Sequence, residues 1–178
     1  MKPHRSYEER HAVIINLLFV LLFLVSTTTV QSQTPTNFSG KWEFDTTRSS
    51  SGMLETTYGG TVILQINQNP SSISFSEIWK KKGNSDYKTS ADAYNLDGKE
   101  KIRKSDIGTS KKSAKWSQDK KILTITNLDT QKLKGVLQDF LVVDTYTLSD
   151  GGRTLTMERS SKNPVQGEKT AKKVYSKI

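Results

Sequence analysis

The 178-residue chain has no cysteine, and its only two histidines, His4 and His11, lie near its start. Without cysteine there is no disulfide framework and no thiolate nucleophile, so burial of apolar surface has to hold the fold together. Beyond residue 32 histidine is missing as well. That excludes Ser-His-Asp and Cys-His nucleophilic mechanisms, histidine acid–base catalysis and the usual nitrogen–sulfur zinc sites. The glycine patterns that cradle phosphates or dinucleotides are also missing. No segment after the leader carries a sustained 3.6-residue apolar stripe, and the best candidate for a short helix is Gln131–Gln138.

Long apolar runs are scarce too. The longest, Ala12 to Val25, is interrupted only by Asn16, follows the basic residues Lys2, Arg5 and Arg10, and precedes a small, polar stretch from Ser26 to Ser32. It falls short of the roughly 20 apolar residues that span a bilayer. The pattern is that of an export signal, with cleavage after Val30-Gln31-Ser32. The expected organisation is a signal peptide over residues 1–32 and one domain over 33–178, exported to a periplasm or to the outside, with no transmembrane anchor once the signal is removed. A cysteine-free exported domain leans towards a bacterial source. In a eukaryotic secretory pathway Asn37-Phe38-Ser39 would be a glycosylation sequon. Taking away Lys2, Arg5 and Arg10 leaves 24 basic residues, and taking away Glu8 and Glu9 leaves 16 acidic ones, so the domain carries a net charge near +8. Such an excess favours attraction to acidic glycans or anionic lipid headgroups.

From Phe38 onward the prevailing period is two. Val62, Leu64 and Ile66 share one face of TVILQIN; Ile73, Phe75, Glu77 and Trp79 share one face of ISFSEIWK. Alternation of this kind is what a half-buried strand requires. Turn residues punctuate it at Asn69-Pro70, Asp97-Gly98, Gln118-Asp119-Lys120, Asp150-Gly151-Gly152 and Asn163-Pro164 to Gly167. The expected strands run at about 40–46, 60–67, 72–80, 87–96, 99–106, 111–117, 121–128, 139–148, 153–160 and 169–177. Short consecutive strands joined by turns suggest an up-and-down meander, which leaves vulnerable edges unless it closes on itself. The expectation is an all-β fold: a closed up-and-down antiparallel β-barrel of about 8–10 strands, with a β-sandwich as the alternative. A membrane-spanning barrel is disfavoured, because the outward faces carry Lys, Ser and Thr.

Phe38-Ser39-Gly40-Lys41-Trp42 with Asp45, Tyr94 to Glu100, Tyr146 to Thr156 and Val174 to Lys177 together resemble the lipocalin-like (calycin) β-barrels, and in particular exported bacterial lipocalin-like proteins. The resemblance implies that Gly40-Lys41-Trp42 opens the first strand, that Gly40 permits close backbone approach, and that Trp42 plugs one end of the barrel. It also implies a basic side chain lying against the indole, from among Arg159, Lys172 and Lys173. The family's animal members carry a disulfide that this chain lacks.

The remaining candidates follow from alternation. Phe75, Trp79, Tyr94, Trp116 and Tyr146 would line the interior, alongside the inward charges Glu77 and Arg159; Asp144 is similarly placed between Val142 and Tyr146. Aromatic residues with a few convergent polar groups suit a small apolar or amphipathic ligand, with no cofactor and no metal. Glu77 with a second carboxylate is the minimum for glycoside hydrolysis, the one enzymatic alternative. Lysine clusters at Lys80-Lys81-Lys82, Lys99 to Lys104, Lys111-Lys112 and Lys120-Lys121 would form a basic rim for acidic polymers. They lack the interleaved aromatics of a nucleic-acid surface.

Overall fold

The computed structural model describes residues 33–50, 61–80, 87–89 and 91–178. The proposed signal peptide over 1–32 and the lysines Lys81 and Lys82 lie outside the described residues. Among the described residues eleven strands follow one another: β1 (Gly40–Phe44), β2 (Thr61–Gln68), β3 (Ser72–Lys80), β4 (Tyr87–Lys88), β5 (Asp92–Asn95), β6 (Lys101–Ser105), β7 (Gly108–Trp116), β8 (Leu123–Leu133), β9 (Val136–Ser149), β10 (Thr154–Asn163) and β11 (Gly167–Lys177). They form a single antiparallel sheet in the order β4-β3-β2-β1-β11-β10-β9-β8-β7-β6, with β5 also on β3. The first strand therefore pairs with the last, Trp42 standing opposite Lys177.

Alternation sets the inner face. Val62, Leu64 and Ile66 are buried on β2, Leu123 and Ile125 on β8, and Leu155 and Met157 on β10. Cross-strand register stacks these side chains on one another: Leu123 and Met157 both stand opposite Tyr146. Each such side chain gains about 1.5–3 kcal/mol by leaving water, and with no cysteine to assist, these contacts carry the fold.

Three expectations need correction. Among the described residues the ladder does not close into a barrel, because no backbone pairing joins β3–β5 to β6–β7. Side chains span the gap instead: the Lys112 ammonium donates to Asp92 at 2.8 Å, and the Tyr94 hydroxyl donates to Asn127 at 3.1 Å. The cause lies in β6, whose five residues Lys-Ile-Arg-Lys-Ser are exposed throughout and offer no apolar face to lay over an interior. Asp97-Gly98 does make a turn, with Gly98 at φ 73°, but the strands on either side of it do not pair with each other. Second, the expected strand 87–96 is two short pieces, β4 and β5, both on β3. Third, Gln131–Gln138 is no helix. Leu133 faces Val136 across a tight turn in which Lys134 (φ 50°) and Gly135 (φ 85°) both take left-handed backbone. Two positive φ values in succession are what a two-residue hairpin demands.

Candidate functional site

The segment before β1 builds one end of the core. Gln68, at the end of β2, clamps it: its amide oxygen accepts from the Phe38 N–H and its amide nitrogen donates to the Thr36 carbonyl, both at 2.9 Å. Phe38 and Trp42 are thereby fully buried, and the indole Nε1–H donates to the Phe38 carbonyl at 3.0 Å. A buried indole satisfies its single donor in this way.

The cation on this indole is none of the three expected. Lys177 holds its Nζ 5.2 Å from the Trp42 ring centroid, because register sets these two residues side by side. Arg159 is engaged by Asp144, Lys173 lies over Phe44 at 5.9 Å, and Lys172 is exposed. Gly40 allows the lysine stem to approach. Its φ is +144°, and a Cβ there would stand 3.3 Å from the Lys177 side chain.

From this end a chain of aromatic contacts runs inward. Trp116 stacks on Phe38 (5.8 Å between centroids), Phe38 meets Tyr146 edge-on (6.4 Å), Tyr146 stacks on Phe75 (4.9 Å), and Phe75 meets Tyr94 edge-on (6.1 Å). The last three of these rings line a cavity of about 330 Å³, together with Leu64, Ile125, Met157 and Tyr175. The polar part presents Glu77, Asp92, Asn127, Asp144 and Arg159.

Of the residues singled out in the sequence, Phe75, Glu77, Tyr94, Tyr146 and Arg159 share this cavity, as does Asp144. Trp79 and Trp116 do not line it; they are half-buried against the core, Trp116 being drawn away by its stack on Phe38. Sequence reasoning missed Phe38, Gln68 and Asn127, whose roles depend on partners at least 30 residues away in the chain.

Asp144 is almost completely buried and accepts two hydrogen bonds from Arg159, at 2.7 Å from Nε and 2.8 Å from Nη2. This planar fork is the strongest geometry available to the pair. The carboxylate holds the guanidinium ionisation above its already high ordinary value. Burial pushes the Tyr146 hydroxyl well above the usual tyrosine range and raises Tyr94 as well. Both phenols therefore face the cavity as neutral groups at ordinary pH.

No family model and no curated protein matches this chain. Among solved structures, it is similar to the zebrafish ileal bile acid-binding protein complexed with cholic acid. The match has 16% identity and a TM-score of 0.47, and covers 79% of this chain and 98% of that one. What the cavity can do follows from this chain's own residues.

Proposed function

We propose that this chain is an exported, non-enzymatic, lipocalin-like protein that takes a small apolar or amphipathic molecule into the cavity lined by its sheet. The carrying observation is the 330 Å³ cavity, whose lining combines aromatic and aliphatic side chains with charged and polar ones. That volume is within the range of about 300–1,000 Å³ typical of small-molecule sites, and the mixed lining suits an amphipath. The enzymatic alternative is disfavoured because both other carboxylates of the lining are already paired, Asp144 with Arg159 and Asp92 with Lys112, so Glu77 has no unpaired second carboxylate among the described residues. The test is titration of the purified protein with a panel of neutral, cationic and anionic lipophilic probes, following tryptophan emission. Saturable quenching or a blue shift with at least one probe is expected. A flat response to the whole panel refutes the proposal. Appearance of a shortened chain beginning at Gln33 outside the producing cell tests export.

One observation favours a second reading, a surface that binds acidic polymers or anionic headgroups. Lys101 stands directly opposite Lys112, and Arg103 and Lys104 are exposed on the same short strand. Asp92 offsets only the Lys112 charge, so Lys101, Arg103 and Lys104 leave a local positive excess that a polyanion would relieve. Retention on a heparin column that is lost below about 0.5 M salt is the expected sign, and passage straight through at low salt removes the reading.

A further inference from the structure

The charges lining the cavity do not cancel. Arg159 is held by Asp144. At the mouth, Lys112 is held by Asp92 and also lies 5.7 Å from the Tyr94 ring centroid. Lys173 lies outside the lining, against Phe44. The lining charge left over is Glu77, which has neither an ion pair nor a side-chain hydrogen bond among the described residues. Glu77 projects from the same face of β3 as Phe75, two residues away, and the Phe75 ring is stacked on Tyr146. Tyr146 supplies an independent observation. It is only 6% exposed and lines the cavity, yet its hydroxyl has no hydrogen-bond partner among the described residues. The hydroxyl is open to the cavity and not sealed in the core, so an occupant can reach it.

We propose that the occupant is an organic monocation, an ammonium on a compact apolar body. Its charge is paired with the Glu77 carboxylate, its N–H groups have the Tyr146 hydroxyl as a further acceptor, and its apolar part lies against Phe75, Tyr94 and Tyr146. This deepens the ligand-binding reading and rests on it. Aromatic faces attract cations through their quadrupole, and the protein already uses them so, with Lys112 over Tyr94 and Lys177 over Trp42. The net positive charge of the chain gives no help to such a ligand, so any preference for a cation has to come from the local side chains.

Three nearly isosteric probes separate the possibilities: phenethylammonium, 2-phenylethanol and 3-phenylpropionate, each titrated calorimetrically into the full chain. The ammonium should bind at least about tenfold tighter than the alcohol, the yield of one charge-assisted contact in a half-buried site, and the carboxylate weakest. Glu77→Gln should remove most of the preference for the ammonium over the alcohol while retaining binding of the alcohol. Tyr146→Phe, which keeps the ring, should weaken the ammonium severalfold and leave the alcohol within about twofold. Binding that is equal for the three, or best for the carboxylate, overturns this inference and leaves the ligand-binding reading standing. No binding by any of them, together with a flat response to the lipophilic panel, overturns both. If Glu77→Gln fails to fold, the ranking on the unaltered protein and on Tyr146→Phe still decides.

Discussion

The Asp144–Arg159 pair makes an asymmetric prediction. Its two members differ in burial: the Asp144 side chain is 6% exposed and the Arg159 side chain 42%. Removing one charge strands the other, and the cost depends on which one is left behind. Arg159→Met keeps much of the stem but leaves a carboxylate deep among Ile125, Tyr146 and Met157 without its fork. Breaking a fully buried pair costs about 3–5 kcal/mol, and the partial exposure of Arg159 reduces this to about 2–3 kcal/mol. Asp144→Asn leaves a guanidinium that reaches water through its exposed part and still donates one hydrogen bond to the new amide, a loss of about 0.5–1.5 kcal/mol. Equilibrium unfolding in urea, followed by tryptophan emission, measures both. The midpoint for Arg159→Met should fall by about 1 M with an unchanged slope, and by clearly less for Asp144→Asn. A loss for Asp144→Asn equal to or larger than that for Arg159→Met would refute the reasoning, because it would mean that the burial asymmetry does not set the cost.

Trp42→Ala should cost about 3–5 kcal/mol, because it empties a fully buried site and frees the Phe38 carbonyl; a change under 1 kcal/mol in the same unfolding assay would show that the indole does not close that end. Gly108→Ala should destabilise by about 2 kcal/mol or more, since a Cβ there would collide with the Thr130 carbonyl, and hydrogen exchange should localise the loss to β6, β7 and β8. Tyr94 and Tyr146 have ionisations raised by burial, so their contribution to stability is complete below about pH 10, where unfolded tyrosine titrates, and is lost as pH rises through the folded values. Alkaline titration should show these two phenols lagging and then ionising together with unfolding; smooth titration of every tyrosine in the folded state would contradict the burial.

Much of the fold is legible because a period of two needs no partner to be read. Val62, Leu64 and Ile66 declare their face from their spacing, and Asp150-Gly151-Gly152 declares a reversal because Gly151 and Gly152 adopt φ 65° and 84°. The misreadings have separate causes. Lys134-Gly135 hides a hairpin because lysine is an uncommon occupant of left-handed backbone, so the cue that marks Asn-Gly or Asp-Gly was absent. Asp97-Gly98 gave the opposite error: its turn chemistry is sound, but a turn reverses the chain without obliging the flanking strands to pair. Lys101, Arg103 and Lys104 made β6 a poor wall for an interior, and the ladder stops short of closing there.

The candidate site shows the same division between direction and partnership. Alternation points Glu77, Asp144 and Arg159 towards one interior and says nothing about which carboxylate takes the guanidinium. Register decides it. Arg159 stands opposite Asp144, and a slip of two residues between β9 and β10 would preserve every side chain's face while setting Arg159 opposite Val142 or Tyr146. The turn fixes the count: Thr154 donates its hydroxyl hydrogen to the Asp150 carboxylate at 2.6 Å, and Arg153 donates from Nε to the Asp150 carbonyl at 3.1 Å. The reversal at residues 150–152 thus holds Arg159 on Asp144. With Arg159 committed there, the carboxylate of Glu77 is left to face the cavity without a cation of its own.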